Sequence, residues 1–451
     1  MRTPPPSLVV LAALIFLPAA GPAQRTMTWS PAEHTLRYEF RLYNPSDRPA
    51  RAVVVHVPLP HQDARQELRY LHLSKAGFQE ELVDVHGQRL ARYAFDQIPA
   101  GGFAEASFVA GATLRSLRWI DPGRPERPGG PTLSAAERAR YLAPASNYSM
   151  GSPVLRETAG RLVEGARTEL EKVERIHDFI LAKVRYIRDG RWDPAEQVLR
   201  QGHGSCSEYN YLLSGLLRLA GLPTRYVGGS SRASGALPAT DLVYHRWTEV
   251  FLEGVGWFPV DCSRDANPLR GKRSHFGRVH SDMLVWCRQA GGGEDLLGWE
   301  YRAQARSAEG GPRLRAEHRT RWFESVSAED LAAARAWLAA GTGAAPGGDA
   351  LECALLDWDG AAPASRRRLI EGLARAGRAE CLRRAAGFVD ERGAACDLYG
   401  ALCAEPELAE ILRDVSRDAN RLRAWFRGAE DRLLPDGRGA FRLQQIGRAH
   451  V

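Results

Sequence analysis

Gly204-Ser205-Cys206-Ser207-Glu208-Tyr209-Asn210, with the apolar run at 211–220 behind it, is the stretch that decides the fold of this chain. Glycines at 202 and 204 favour a turn, and the leucines that follow recur at helical spacing until Gly221 and Pro223 end the pattern. The spacing therefore predicts a helix that begins at or near Cys206. Unpaired backbone N–H groups and the positive dipole end of a helix N-terminus favour a thiolate over a thiol. Because the thiolate is the nucleophilic form of cysteine, the stretch predicts a reactive Cys206.

Two later segments supply the groups that cysteine chemistry needs. His245 lies in Tyr244-His245-Arg246-Trp247-Thr248-Glu249-Val250-Phe251, a strand pattern, and Asp261 ends Gly256-Trp257-Phe258-Pro259-Val260-Asp261. An imidazole can take the thiol proton and return it to a leaving group near neutral pH. A carboxylate can hold that imidazole in one tautomer. We therefore expect Cys206, His245 and Asp261 to form a catalytic triad.

Whether His245 and Asp261 can meet depends on the number of residues in the turn between the two strands, because this number decides which face of the sheet each side chain is on. A two-residue turn at Gly254-Val255 points Asp261 away from the face of His245, whereas an odd-length loop or a bulge places both on one face. The sequence leaves this register open.

These segments resemble the transglutaminase-like superfamily of papain-type cysteine enzymes. The resemblance covers roughly 140–290 and includes Trp192-Asp193-Pro194-Ala195-Glu196-Gln197-Val198-Leu199, which is similar to the lead-in to the nucleophile in that family. It implies an α+β papain-like core in which Cys206 is the nucleophile, His245 the general base and acid, and Asp261 the orienting carboxylate. It also implies attack on a carboxamide carbonyl and a thioester acyl-enzyme. No acidic calcium loop is evident, so calcium activation is not implied.

The expected function is acyl transfer on protein or peptide carboxamides. Water in place of an amine as the acyl acceptor gives a cysteine peptidase or amidase, and a third alternative is a non-catalytic scaffold that binds at the cell surface. Trp192 and Trp247 are candidates for lining the substrate cleft, although both also fit as ordinary core aromatics. No cofactor is expected. His203, His275 and His280 lack accompanying CxxC pairs, so no metal site is expected either.

The chain divides into several parts by composition. Strand patterns and frequent turns at 25–120 predict an immunoglobulin-sized β-sandwich, with Leu36, Tyr38, Phe40 and Leu42 on one face of a strand at 34–43. A Pro- and Gly-rich linker at 121–131 precedes helices and then antiparallel strands, an α+β pattern that we assign to a catalytic domain at 132–308. Alanine-, arginine- and leucine-rich segments predict a helical C-terminal region at 320–445. The fold class is therefore multidomain.

The N-terminus has the layout of a signal peptide. Arg2 precedes an apolar segment at 8–17, and Gly21 and Ala23 suit cleavage after Ala23. We expect 1–23 to be removed and the mature protein to be exported, to the periplasm or outside the cell, without stable membrane insertion; an uncleaved anchor is the alternative. The closing residues 446–451 are typical of translated adapter sequence rather than of a natural terminus.

The net charge and the cysteine content bear on the binding partners and on the disulfides of the protein. The net charge of +7 is small for 451 residues, and no basic stripe interleaved with aromatics is present, so a nucleic-acid partner is not expected. If Cys206 is a free nucleophile, six of the 7 cysteines remain, and these could form three disulfides or stay as buried thiols. The oligomeric state is not predicted.

Overall fold

The computed structural model describes residues 26–84, 86–119, 130–188, 190–232, 237–241, 244–267, 273–289, 296–342 and 346–354, with two short strands near the C-terminus. The predicted signal peptide, Cys381, Cys396, Cys403 and most of the predicted helical region at 320–445 lie outside these residues.

The N-terminal part consists of two facing sheets that share one hydrophobic core. The strands are β1 (Thr26–Tyr43), β2 (Ala50–Pro58), β3 (Gln66–Leu73), β4 (Phe78–Val83), β5 (Arg89–Ile98) and β6 (Phe103–Trp119). β1, β3 and β6 pair in one sheet, and β2, β4 and β5 pair in the other. The predicted β-sandwich is confirmed, and the alternating residues Leu36, Tyr38, Phe40 and Leu42 are buried in its core.

Five helices follow, and the last of them is buried on every side. They are α1 (Ala135–Leu142), α2 (Pro153–Val163), α3 (Glu169–Lys183), α4 (Ala195–Gln201) and α5 (Cys206–Leu219). α2, α3 and α4 pack against α5. A two-residue parallel bridge, β7 (Arg185–Tyr186) with β8 (His203–Gly204), ties the end of α3 to the start of α5. The helix predicted to begin at Cys206 is confirmed.

An antiparallel sheet covers the remaining side of α5. Its strands are β9 (Thr224–Ser231), β11 (His245–Leu252), β12 (Gly256–Val260) and β14 (Met283–Gln289), in the order β12-β11-β9-β14. The short helix α6 (Cys262–Asp265) follows β12. Two further strands, β10 (Ala239–Asp241) and β13 (Arg278–Val279), join the sheet of β1 and β6. Helices packed on an antiparallel sheet are the predicted α+β core.

Chain that follows the core returns to the sandwich. β15 (Gln304–Arg306) pairs with β2, and β16 (Arg315–Phe323) pairs with β1 from Thr35 to Tyr43. The pairing of β15 and β16 with the sandwich was not expected from the division at 308 and 320. Charged residues on a buried face of β16 hide its strand pattern. Two of those charges, Arg319 and Arg321, are paired with Glu39 and Glu352. The strands that complete the sandwich therefore come after the core in the sequence.

The chain after β16 continues as helices. α7 (Ala328–Ala340), which Ser327 caps, and α8 (Gly348–Ala354) are followed by β17 (Leu433–Pro435) and β18 (Phe441–Leu443). None of the helices in the described part of the chain is both long and apolar enough to span a bilayer.

Candidate active site

Cys206 is the first residue of α5, and its position is set by a capping box. The Glu208 carboxylate accepts a hydrogen bond from the Ser205 backbone N–H at 2.8 Å, and Ser205 Oγ accepts one from the Ser207 N–H at 3.3 Å. A Cβ added at Gly204 would come within 2.4 Å of the Glu208 side chain, so the turn before the cap requires glycine. The carboxylate and the cap satisfy N–H groups that a helix start otherwise leaves unpaired. The Cys206 sulfur is thereby held at the positive end of a buried helix.

His245 and Asp261 meet through the β11–β12 hairpin. Leu252 pairs with Gly256, so the loop has three residues, and this odd length places Asp261 on the same face as His245. His245 Nε2 lies 2.6 Å from Asp261 Oδ2. The open question of register is thus answered in favour of the pairing.

The second carboxylate oxygen of Asp261 also accepts hydrogen bonds. Oδ1 accepts hydrogen bonds from Ser263 Oγ at 2.8 Å and from the Arg264 backbone N–H at 3.0 Å, because Asp261 caps the N-terminus of α6. The carboxylate therefore cannot rotate without breaking α6, and it fixes the imidazole plane. Because Nε2 faces Asp261, Nδ1 is left for the hydrogen bond with Cys206.

Cys206, His245 and Asp261 shift one another's pKa values. Burial acts to raise the pKa of Cys206, but the hydrogen bond and charge of His245, the charge of Arg246 and the Arg246 backbone N–H outweigh it, and the pKa is lowered. Burial acts to lower the pKa of His245, but the Asp261 charge and hydrogen bond, with the Cys206 hydrogen bond, raise it to about 9. Burial acts to raise the pKa of Asp261, yet His245 and Arg264 hold it well below its usual value. These directions favour a thiolate beside an imidazolium.

The two tryptophans predicted at the cleft differ in their placement. Trp247 stacks on His245 with ring centroids 6.2 Å apart and lines a cavity of about 450 Å³. Its aromatic walls also include Trp119, Phe251 and Trp257. Trp192 instead packs against Tyr301 and the guanidinium of Arg246.

Sequence reasoning missed two residues near the sulfur. Tyr186 in β7 is partly exposed, and its pKa is raised by burial and by the charges of Cys206 and Asp261. Arg246 lies on the opposite face of β11 from His245 and is completely buried. The signal for Arg246 was its position, since the residue after His245 on a strand must face α5.

The cysteines of the described region are unpaired. Cys206, Cys262, Cys287 and Cys353 are free and buried. The interpretation as buried thiols therefore applies to these four, and a three-disulfide set among the other six is not formed.

A cysteine on a buried helix start, facing an imidazole and a carboxylate on an antiparallel sheet, defines a papain-like class of site. Residues 156–262 match the family model described as the transglutaminase-like superfamily. The chain thus contains a transglutaminase-like core, as the sequence predicted.

Two of the solved structures that are similar to this chain are the following. A candidate cysteine protease from Cytophaga hutchinsonii has 16% identity and a TM-score of 0.46, covering 65% of this chain and 92% of its own. The periplasmic domain of TgpA from Pseudomonas aeruginosa has 15% identity and a TM-score of 0.30, covering 56% of this chain and 98% of its own. No curated protein matches the chain.

Proposed function

We propose that the protein is a cysteine acyltransferase that acts on protein or peptide carboxamides through a thioester. The supporting observations are the 2.6 Å contact between His245 and Asp261 and the hydrogen bond of His245 with Cys206. A thiolate held as an ion pair with an imidazolium is a nucleophile at neutral pH and needs no separate base.

The reaction divides into two halves. In the first, the Cys206 sulfur attacks the carboxamide carbon, the C–N bond breaks, and the His245 proton goes to the leaving nitrogen, which departs as ammonia from a glutamine. In the second, neutral His245 takes a proton from the incoming amine, which attacks the thioester and releases the thiolate. Asp261 stays ionised and orients the ring throughout. Water in place of the amine gives hydrolysis by the same steps.

The negative oxygen formed in each half needs fixed donors. The Cys206 backbone N–H at the start of α5 supports it, since the helix dipole adds positive potential there. Tyr186, a neutral phenol close enough to Cys206 for the thiolate charge to raise its pKa, is our proposal for the second donor.

The site of action that we propose is outside the cytoplasm, on the basis of the signal-peptide pattern at 1–23. Cys206 is buried and free, and such a thiol is compatible with that location.

The proposal is tested by incubating the protein with a glutamine peptide, once with and once without a fluorescent primary amine. Ammonia release and incorporation of the amine into the peptide are measured. Incorporation that disappears in Cys206→Ala supports the acyltransferase. Ammonia release without incorporation would replace the amine with water as acceptor. Neither product, together with an ordinary alkylation rate at Cys206, would leave the non-catalytic scaffold as the better account.

A further inference from the structure

Arg246 is a buried cation in β11, the strand that carries His245. It follows His245 in β11 and faces α5, as does Thr248, whose hydroxyl lies 3.2 Å from Ser214 of that helix. Its side chain has no solvent exposure. Its charge and its backbone N–H both act to lower the pKa of Cys206.

Four aromatic rings surround the guanidinium. Its central carbon lies 4.0 Å from the ring centre of Tyr301, 4.6 Å from that of Trp192, and 5.5 Å from those of Tyr211 and Tyr226. Aromatic faces attract a cation through their quadrupole, but they carry no formal charge that could neutralise it. We call these four residues the aromatic cage.

The hydrogen bonds of Arg246 leave its charge unbalanced. Nη1 donates to the Tyr211 hydroxyl at 2.8 Å, whereas Nε and Nη2 have no acceptor. Among the residues that the structure describes, no carboxylate forms an ion pair with Arg246. Buried arginines are ordinarily paired, because an isolated buried charge is strongly unfavourable.

We propose that the thiolate of Cys206 is the missing counter-charge, and that Arg246 is a positioning residue that keeps Cys206 ionised. The aromatic cage holds the guanidinium behind the sulfur, so that the imidazolium and the guanidinium stabilise the thiolate from two sides. This inference rests on the proposed function, because it requires Cys206 to be the reactive nucleophile.

The four members of the aromatic cage come from separate parts of the chain. Tyr211 belongs to α5 and Tyr226 to β9, while Trp192 precedes α4 and Tyr301 follows the core sheet. Trp192 thus supports the nucleophile from behind instead of lining the cleft. Tyr301 lies outside the matched 156–262, so part of the aromatic cage comes from chain beyond that match.

The rate of iodoacetamide alkylation at Cys206, followed by mass spectrometry of its peptide from pH 5 to 10, tests the proposal. Arg246→Met and Arg246→Gln both remove the charge, so a folding defect in one still leaves the other. We expect each to raise the apparent pKa of Cys206 by about one unit, which slows alkylation about tenfold below that pKa. Arg246→Lys retains the charge and should stay within about threefold of the wild-type rate.

Tyr211→Phe is the matched control, because it removes the hydrogen bond to the guanidinium and keeps the charge; its pH profile should match that of the wild type. An unchanged profile in a folded neutral variant would overturn the proposal, as would equal losses in the Lys and Met variants. If instead the proposed function were wrong, the result would differ, because Cys206 of the wild type would itself titrate as an ordinary thiol.

Discussion

Asp261 has a fixed partner at each of its oxygens, and this makes it the least adaptable member of the site. One oxygen faces His245, and the other caps α6 through Ser263 and Arg264. A neutral amide in its place can keep part of the hydrogen bonding but cannot stabilise an imidazolium.

Asp261→Asn is expected to lower the pKa of His245 towards its ordinary value and to raise that of Cys206. Iodoacetamide alkylation of Cys206 at pH 7 should slow by at least about tenfold, because each pKa unit changes the thiolate fraction about tenfold. A wild-type rate in a folded variant would show that the carboxylate does not maintain the ion pair.

The same charges make the free energy of unfolding depend on pH. The raised pKa of His245, about 9 against 6.5, gives stability that is complete below pH 6.5 and disappears as the pH rises through about 9. The lowered pKa of Asp261 gives stability that is complete above pH 3.8 and disappears as the pH falls further. The two contributions are therefore both complete only between pH 3.8 and 6.5.

Urea unfolding of the wild type and of His245→Gln at pH 6 and pH 10 checks this window. The wild type should have the larger free energy of unfolding at pH 6, and the difference should shrink at pH 10. A difference that does not change with pH would contradict the raised pKa.

At the scale of elements, the start of α5 can be tested against a second capping box in the same chain. Ser205→Ala removes the cap beside Cys206, and Ser134→Ala removes the equivalent cap of α1, where Glu137 accepts from the Ser134 backbone N–H at 2.9 Å. Each should lower the free energy of unfolding by about 1 kcal/mol. Only Ser205→Ala should also slow the alkylation of Cys206. An equal effect of both on reactivity would mean that the cap acts through global stability.

Much of this element structure could be predicted from local patterns. A turn followed by leucines at helical spacing marked α5, and alternation marked β1 and β11. Local patterns do not mark every strand. β3 lacks a regular alternation because a bulge lies between Leu68 and Tyr70. β14 lacks one because its residues are buried almost throughout.

The site could be predicted in its composition but only in part in its geometry. Cys206, His245 and Asp261 were recognisable by residue type and element, yet their meeting depended on a three-residue loop that the sequence left open. Arg246 could be placed on the inner face of β11, but the aromatic cage could not, because its members come from four separate segments. Long-range pairing of this kind, like that of β16 with β1, is not encoded in local periodicity.

At the scale of the whole molecule, two glutamines of the sandwich complete the edge of the core sheet. The Gln66 side chain donates to the Val285 carbonyl at 2.7 Å and accepts from the Val285 N–H at 2.8 Å. Gln88 does the same for the Trp286 carbonyl at 2.7 Å and the Arg288 N–H at 3.0 Å. Both glutamines are fully buried, so they act as a strand partner for β14.

Gln66→Leu should therefore lower the free energy of unfolding by about 1–3 kcal/mol, because it leaves the buried N–H of Val285 in β14 without its partner. Gln79→Leu, on the exposed strand β4, is the control and should change stability by less than about 0.5 kcal/mol. Urea unfolding measures both. Equal effects would mean that the sandwich does not support the core through this edge.

The protonation state of His245 in the folded protein is the most direct test of the ion pair on which the account depends. Histidine-labelled protein gives up to 12 imidazole signals by NMR, and the signal lost in His245→Gln identifies the relevant ring. We predict that this imidazole stays protonated at neutral pH and titrates near pH 9. Titration near pH 6.5, as for an ordinary histidine, would contradict the account.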